Sequence, residues 1–467
     1  MSEQIINELN RSAKLFMDNG AASTAEEAIE KLRGFRMHLV VGEAASKSPT
    51  HQAAFLTALN CGRRTFLGGV SVSGALDAPL LSRVAEGPLL ADAVRELRGI
   101  IVADIPEGVP IVGIGEHAPV VHSRFAINTT FDGWRSGVVP SGAPGLDESI
   151  EFTPSGVLAG ALAVSEVFAH VNGEPIAGHR AIGLSLWDQA ASADWRSAAL
   201  DGPRPTALPA DFWLIGLGHL GQAFLWTIGL LNFADPSCVL MYLQDDDVVG
   251  RSTESTSILT RANDDKRPKA RVCSQWAERC GFVTRLVERR FDRDLRVRHG
   301  EPLLALCGVD NPDARRILEG AGFATVFEAG LGAGVEDFRL IRTHSFPGPV
   351  SAEATWPLGD EEPVANFEAG RPPSYEDLRM RGELDECGLT RLAEVAVGAP
   401  FVGAAASAAL VAQIIRLVVD GKRASVFNLD LRALQHRSVV YREETDIVLF
   451  ATAAAYGEGQ MAPRDRS

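Results

Sequence analysis

The run Phe212-Trp-Leu-Ile-Gly-Leu-Gly, continuing through His219 and Leu220 to Gly221, restricts this chain more than any other segment. Four apolar residues make a buried strand, a GxGxxG turn follows, and helix-forming residues continue to about Leu231. Gly216, Gly218 and Gly221 permit the tight turn and let a phosphate approach backbone N–H groups at a helix start. A nicotinamide dehydrogenase is the commonest reading of that turn taken alone. A second apolar strand, Cys238-Val-Leu-Met-Tyr-Leu, follows, then a helix over 267–280 and strands near 303–307 and 323–328. Strands alternating with helices predict an α/β domain with a parallel sheet.

The first half follows the same programme. Helices are expected over 4–17 and from Thr24 to Arg33, then a strand Met37-His-Leu-Val-Val ending at Gly42. Helical spacing covers 50–60, and short strands fit 69–72, 99–103 and 110–114. Pro154 and Pro400 each open an Ala-rich apolar helix closed by Asn-Gly or Asp-Gly, and a short strand follows each. That order reads as an internal duplication. With 467 residues, the chain exceeds one compact core. The expected division is 1–192 and 211–457, joined by a Pro-rich linker at 193–210 and ending in a flexible tail at 458–467.

A formal net charge of -15 argues against nucleic acid or an anionic membrane as the main partner. No apolar stretch of membrane length and no signal-like h-region is read, so a cytoplasmic protein is expected. The six cysteines are scattered with no CxxC pair, which argues against a structural zinc site. Cys238 and Cys307 read as strand packing, and Cys273 and Cys280 as one face of a helix.

Beyond the glycine turn, the chain carries Asp245-Asp-Asp247, then Gly250-Arg-Ser-Thr253-Glu-Ser-Thr256, then Lys266-Arg-Pro-Lys269-Ala, then Val309-Asp310-Asn311 with Arg315. This order resembles the activating-enzyme superfamily that includes ThiF, MoeB and the ubiquitin activators. The resemblance implies tandem Rossmann-like adenylation domains, the first degenerate and the second active. It implies ATP and Mg²⁺: Asp245 or Asp247 would hold the ribose hydroxyls, Lys269 would neutralise the phosphates, and Asp310 would hold the metal. Two positions depart from the pattern. Thr253 replaces an Asn and Thr256 replaces a catalytic Arg; threonine can hydrogen-bond but carries no charge. Arg251, Arg261 and Arg267 are nearby cations.

In two-domain relatives the degenerate half sends an N-terminal arginine into the active half's ATP site, a position that Leu9-Asn-Arg11-Ser resembles; a solvated helix residue is the alternative. Cys387, within Asp385-Glu-Cys387-Gly-Leu-Thr-Arg391, is similar in setting to the thioester cysteine on the crossover loop of autophagy-type activators, here 357–398. Arg391 would favour its thiolate, while Asp385 and Glu386 act against it. The whole resembles the activating enzymes of bacterial ubiquitin-like conjugation operons of the Bil type. That implies a ubiquitin-like protein and a ubiquitin-conjugating-like enzyme as partners, an internal pseudo-dimer with homodimerisation open, and antiphage defence. Adenylation without a thioester, an oxidoreductase and an inactive scaffold remain the other readings.

Overall fold

The computed structural model describes residues 8–115, 123–190, 194–358, 371–443 and 453–457. Within them, two sheets repeat one strand order. In the first, Ile100–Ile101, Val70–Gly74, Met37–Val41, Ile111–Ile114 and Ala126–Asp132 lie side by side and parallel. Arg135–Pro140 and Ile182–Ser185 extend that sheet antiparallel. In the second, Val283–Val287, Leu240–Gln244, Asp211–Ile215, Leu304–Cys307 and Thr325–Leu331 are parallel. Leu340–Phe346, Lys422–Asp430 and Ser438–Glu443 continue it antiparallel. Counted along each half, the parallel order is third, second, first, fourth, fifth.

The repeat reaches individual side chains. Gln52, in the first turn of helix Pro49–Thr65, donates to Ala45 O (2.9 Å) and accepts from Leu81 N (2.8 Å). Gln222, in the first turn of helix His219–Gly229, donates to Leu217 O (3.1 Å) and accepts from Leu259 N (2.9 Å). In both halves one glutamine ties the turn after the first strand to a later loop.

Helices from the two halves meet in one continuous core. Thr153–Val171 lies against Pro49–Thr65, and Pro400–Asp420 against His219–Gly229; the two Ala-rich helices also touch each other. Gly156 and Gly160, one turn apart on one helix face, make the first contact close. A Cβ there would stand 2.2 Å from Thr50 O and 2.3 Å from Ala54 O. Across the halves, the fully buried Trp226 donates its indole N–H to Thr57 Oγ1 at 2.9 Å. Contrary to the expectation of no membrane-length apolar segment, Thr153–Val171 and Pro400–Asp420 are long and apolar enough to qualify. Their Ala, Val and Leu content reflects this core, where 89% and 83% of the qualifying windows are buried.

Three local expectations change. The N-terminal helix, described only from Glu8, runs regularly over Lys14–Asp18, because the Asn10 carboxamide accepts from Ser12 N (2.9 Å) and Ala13 N (3.2 Å) and turns the chain. Cys238 is not core packing: it is exposed at the end of a short turn, Pro236–Cys238, capped by Asp235. Cys307, Cys273 and Cys280 are buried. The Pro-rich connection holds a strand, Ala207–Pro209, paired with Ala453–Ala455. The expected tail at 458–467 lies outside the described residues.

His38 supplies a pH test. It is 0% exposed, with Nδ1 2.8 Å from Ser71 Oγ and Nε2 2.9 Å from Ser73 Oγ. Burial pushes the imidazole down to about 4, so the folded chain keeps it neutral where the unfolded chain protonates it near 6.5. Stability is therefore complete above about pH 6.5 and falls as the pH drops toward 4. Urea midpoints measured from neutral to acidic pH should decline over that window, and His38→Gln should flatten the decline.

Candidate functional site

Parallel strands in the order third, second, first, fourth create a switch point between the first and fourth, where the following loops diverge and a crevice opens at their carboxyl ends. In the second half these strands are Asp211–Ile215 and Leu304–Cys307. The glycine turn leaves the first and Gly308-Val309-Asp310 leaves the fourth.

Each glycine has its own reason. Gly216 has φ +78, and a Cβ on it would meet Val309 Cγ1 at 2.8 Å. A Cβ on Gly221 would lie 1.9 Å from Gly216 O, so only glycine lets the helix close onto the turn. A Cβ on Gly218 would meet nothing within 4 Å among the described residues.

Asp245 and Asp247 follow the neighbouring strand, Leu240–Gln244. Asp245 is buried and accepts from Leu217 N (2.6 Å) and Asp247 N (2.8 Å), tying the acidic strand end to the glycine turn. Burial raises its pKa, against the pull of Lys269 and the two N–H bonds. Lys269 begins the helix Lys269–Arg279, donates to Asp247 Oδ2 at 2.8 Å, and its side chain is 15% exposed. Burial alone would depress its ammonium, but the charges of Asp245, Asp247 and Asp310 outweigh that and raise it. The carboxylates of Asp245, Asp246 and Asp247 offer oxygens within 4.8 Å of one another, donors of the type Mg²⁺ prefers.

Arg11 reaches this crevice from the other half. Its backbone N–H donates to Ser255 Oγ (3.2 Å), its carbonyl accepts from Gly398 N (3.3 Å), and Ser12 Oγ donates to Gly398 O (2.9 Å). Burial pulls the Arg11 guanidinium below its usual value, and the Asp310 carboxylate acts in the opposite direction. A Cβ on Gly398 would contact Thr256 Cγ2 at 3.0 Å and Arg11 Cβ at 3.6 Å, so Thr256 and Arg11 border one niche. The other nearby cations are engaged elsewhere: Arg251 with Glu8, Arg261 with Glu96 and Arg267 with Asp264.

The fold thus brings the glycine turn, Asp245, Asp247, Lys269, Asp310 and Arg11 together. The Asp310 loop has a support the sequence reading did not assign. Arg315 Nε donates to Val309 O (2.9 Å) and lies 3.0 Å from Glu328 Oε1, while His344 Nδ1 lies 2.8 Å from Glu328 Oε2. A buried glutamate inside the apolar strand Thr325–Leu331 was the available signal. His219 was also passed over. It begins the helix after the turn, burial pushes its imidazole down to about 4, and a Cβ on Gly403 would fall 2.5 Å from its Nε2.

Cys387 sits on a helix, Glu386–Glu394, within the segment read as a crossover loop. The thiol is exposed. Both opposing acids are occupied: Asp385 caps the helix by accepting from Gly388 N (2.8 Å), and Glu386 pairs with Arg371. The preceding helix, Pro373–Met380, is anchored on the first half through Tyr375 Oη, which donates to Asp18 Oδ1 at 2.8 Å. Asp18 in turn pairs with the buried Lys14, one turn beyond Arg11. Residues 359–370 of the crossover lie outside the described residues.

Two family models match the chain: the BilD N-terminal domain over residues 36–186 and the BilD C-terminal domain over residues 208–421. A curated relative, the bacterial E1-like protein BilD of Collimonas sp. (strain OK412), is 39% identical over 418 residues, which is 89% of each chain. Among solved structures, E. coli MccB with succinimide has a TM-score of 0.32 at 10% identity, over 51% of this chain and 66% of that one. E. coli tRNA N6-threonylcarbamoyladenosine dehydratase, TcdA, in complex with AMP has a TM-score of 0.28 at 13% identity, over 45% of this chain and 86% of that one. Likenesses this loose say nothing about chemistry.

Proposed function

This chain belongs to the BilD family of bacterial E1-like proteins, and from that premise we propose that it uses ATP to activate the C-terminal carboxylate of a ubiquitin-like protein and then carries it as a thioester on Cys387. The observation that carries this reading is the crevice at the switch point, where Asp245 accepts from Leu217 N in the glycine turn, Lys269 pairs with Asp247, and Arg11 of the other half is docked on Ser255 and Gly398.

ATP is the co-substrate. Its phosphates would lie over the turn Gly216 to Gly221 against Lys269, with Asp245 or Asp247 on the ribose hydroxyls. A carboxylate oxygen of the ubiquitin-like protein bonds to the α-phosphorus, the bond to the pyrophosphate oxygen breaks, and pyrophosphate leaves. The Cys387 thiolate then adds to the acyl carbon and AMP departs, leaving a thioester for a ubiquitin-conjugating-like enzyme. Mg²⁺ would be held by Asp310, a hard carboxylate donor, and would supply neutralisation of phosphate charge.

Thr256 cannot carry the charge that a catalytic arginine would. Arg11, on the opposite side of the Gly398 niche, takes that role in this reading. The first half is its non-catalytic copy. After the strand Met37–Val41 comes a 3-10 turn, Glu43–Ser46, without the glycine spacing that would let a phosphate approach the backbone. Antiphage defence is the setting that such operons imply.

ATP–pyrophosphate exchange by the full chain, with ubiquitin-like proteins encoded beside the gene, is the test. Exchange should require the partner's C-terminal glycine, and Arg11→Ala should slow it roughly a hundredfold, the order expected for removing one charge-stabilising donor. No exchange with any such partner would reject activation in favour of an inactive scaffold.

A further inference from the structure

The first half does more than lend Arg11. We infer that Arg64, on the helix Pro49–Thr65, is a positioning residue for the nucleotide site of the second half, an inference that rests on the adenylation reading above. Its side chain crosses between the halves and is 3% exposed. The guanidinium donates to three carbonyls of one loop: Glu254 O at 2.6 Å, Ile258 O at 2.7 Å and Thr260 O at 2.9 Å. Asn60, one turn earlier, accepts from Arg64 Nε (3.3 Å) and donates to Ile258 O (3.0 Å). Arg63 and Arg98 hold the Glu254 carboxylate, each at 3.3 Å.

The same loop is gripped from its other side by N–H groups. Leu259 N and Thr260 N donate to Gln222 Oε1 at 2.9 and 3.0 Å. Gln222 Nε2 donates onward to Leu217 O, and Leu217 N donates to Asp245 Oδ2. An unbroken series of hydrogen bonds therefore runs from Arg64 in the first half, through the loop and Gln222, to the glycine turn and the acidic strand end. The loop's earlier part carries Thr253, Thr256 and Ser255, and Ser255 is the residue that receives Arg11 N–H.

Arginine is suited to this place. Glu254 O ends the 3-10 turn Arg251–Ser255, Ile258 O and Thr260 O lie in the stretch after it, and a planar fork with five donors in fixed directions serves all three. Lysine, a point charge on a flexible stem, cannot reproduce that arrangement.

The test measures Mg-ATP affinity by calorimetry, together with exchange rate and melting temperature, on the full chain. The proteins compared are wild type, Arg64→Ala, Arg64→Lys and Asn60→Leu. Arg64→Ala should bind ATP about tenfold more weakly, equivalent to about 1.4 kcal/mol. Added guanidinium ion, which can occupy the vacated space, should restore affinity while melting stays unchanged. Arg64→Lys should not restore it. Should Arg64→Ala fail to fold, Asn60→Leu, which removes one loop bond, decides the matter with about threefold weaker binding. Unchanged ATP affinity in folded Arg64→Ala or Asn60→Leu, or lost stability without a change in affinity, overturns the positioning role. A wild type that binds no ATP overturns the adenylation reading itself, and the inference falls with it.

Discussion

Cys387→Ala is expected to abolish any thiol-labile adduct with the ubiquitin-like partner while leaving ATP–pyrophosphate exchange intact. The two steps use different atoms, so they should separate cleanly. Exchange depends on the crevice at the ends of Asp211–Ile215 and Leu304–Cys307. The acyl group is received by an exposed sulfur on another helix. Of the six cysteines, Cys61, Cys273, Cys280 and Cys307 are buried, and burial pushes each of those thiols well up, as far as about 12 for Cys61, Cys280 and Cys307. Cys238 is exposed, but its sulfur lies 3.6 Å from Asp235 Oδ2, whose charge raises its pKa. Cys387 is left as the accessible thiol whose neighbouring acids are already engaged. Non-reducing gel electrophoresis and intact mass after incubation with ATP and the partner would check this. An adduct that persists in Cys387→Ala assigns the thioester elsewhere. Exchange without any adduct in the wild type supports adenylation alone.

Lys269→Ala should lower the exchange rate roughly a hundred- to a thousandfold, the usual effect of removing one preorganised group that faces charge developing in the transition state. The lysine is held for that task. Its backbone N–H donates to Asp247 O at 3.0 Å, its ammonium meets Asp247, and its charge is sustained by three carboxylates. Asp310→Ala should produce a loss of similar size, by removing a carboxylate whose charge acts on both Arg11 and Lys269. Arg at position 269 keeps the charge and should recover part of the rate, whereas Met should not. A rate within about threefold of wild type in Lys269→Ala would exclude the lysine from phosphate neutralisation. Melting curves for the same variants separate this from unfolding, because the lysine is at the crevice rim and outside the inter-half core.

Much of this was readable along the chain, for a physical reason. A buried parallel strand must be apolar throughout, and a tight strand-to-helix turn must contain glycine. Asp211–Ile215 and Gly216 to Gly221 therefore announce themselves without neighbours, whereas Lys269 and Asp310 were singled out only through the resemblance to the activating-enzyme superfamily. The Ala-rich helices were visible for the same reason, since close packing of Gly156 and Gly160 on Thr50 and Ala54 leaves no room for larger residues. The last parallel strand of the first sheet, Ala126–Asp132, and the antiparallel strands Arg135–Pro140 and Leu340–Phe346 were not read, because their polar residues are satisfied only by partners on adjacent strands and loops. Cys238 was misplaced because its local apolar context hides a turn capped by Asp235.

The sequence by itself determined the α/β repeat and the glycine turn that follows Asp211–Ile215, since each follows from contacts within about one turn or one strand. Only the tertiary structure decided that Arg11 stands across from Thr256, that Arg64 grips Glu254, Ile258 and Thr260 from the other half, and that Glu328 braces Arg315 beneath the Asp310 loop. Those contacts join positions far apart in the chain. An arginine carries no local mark of which distant carbonyls or carboxylates will compensate its burial.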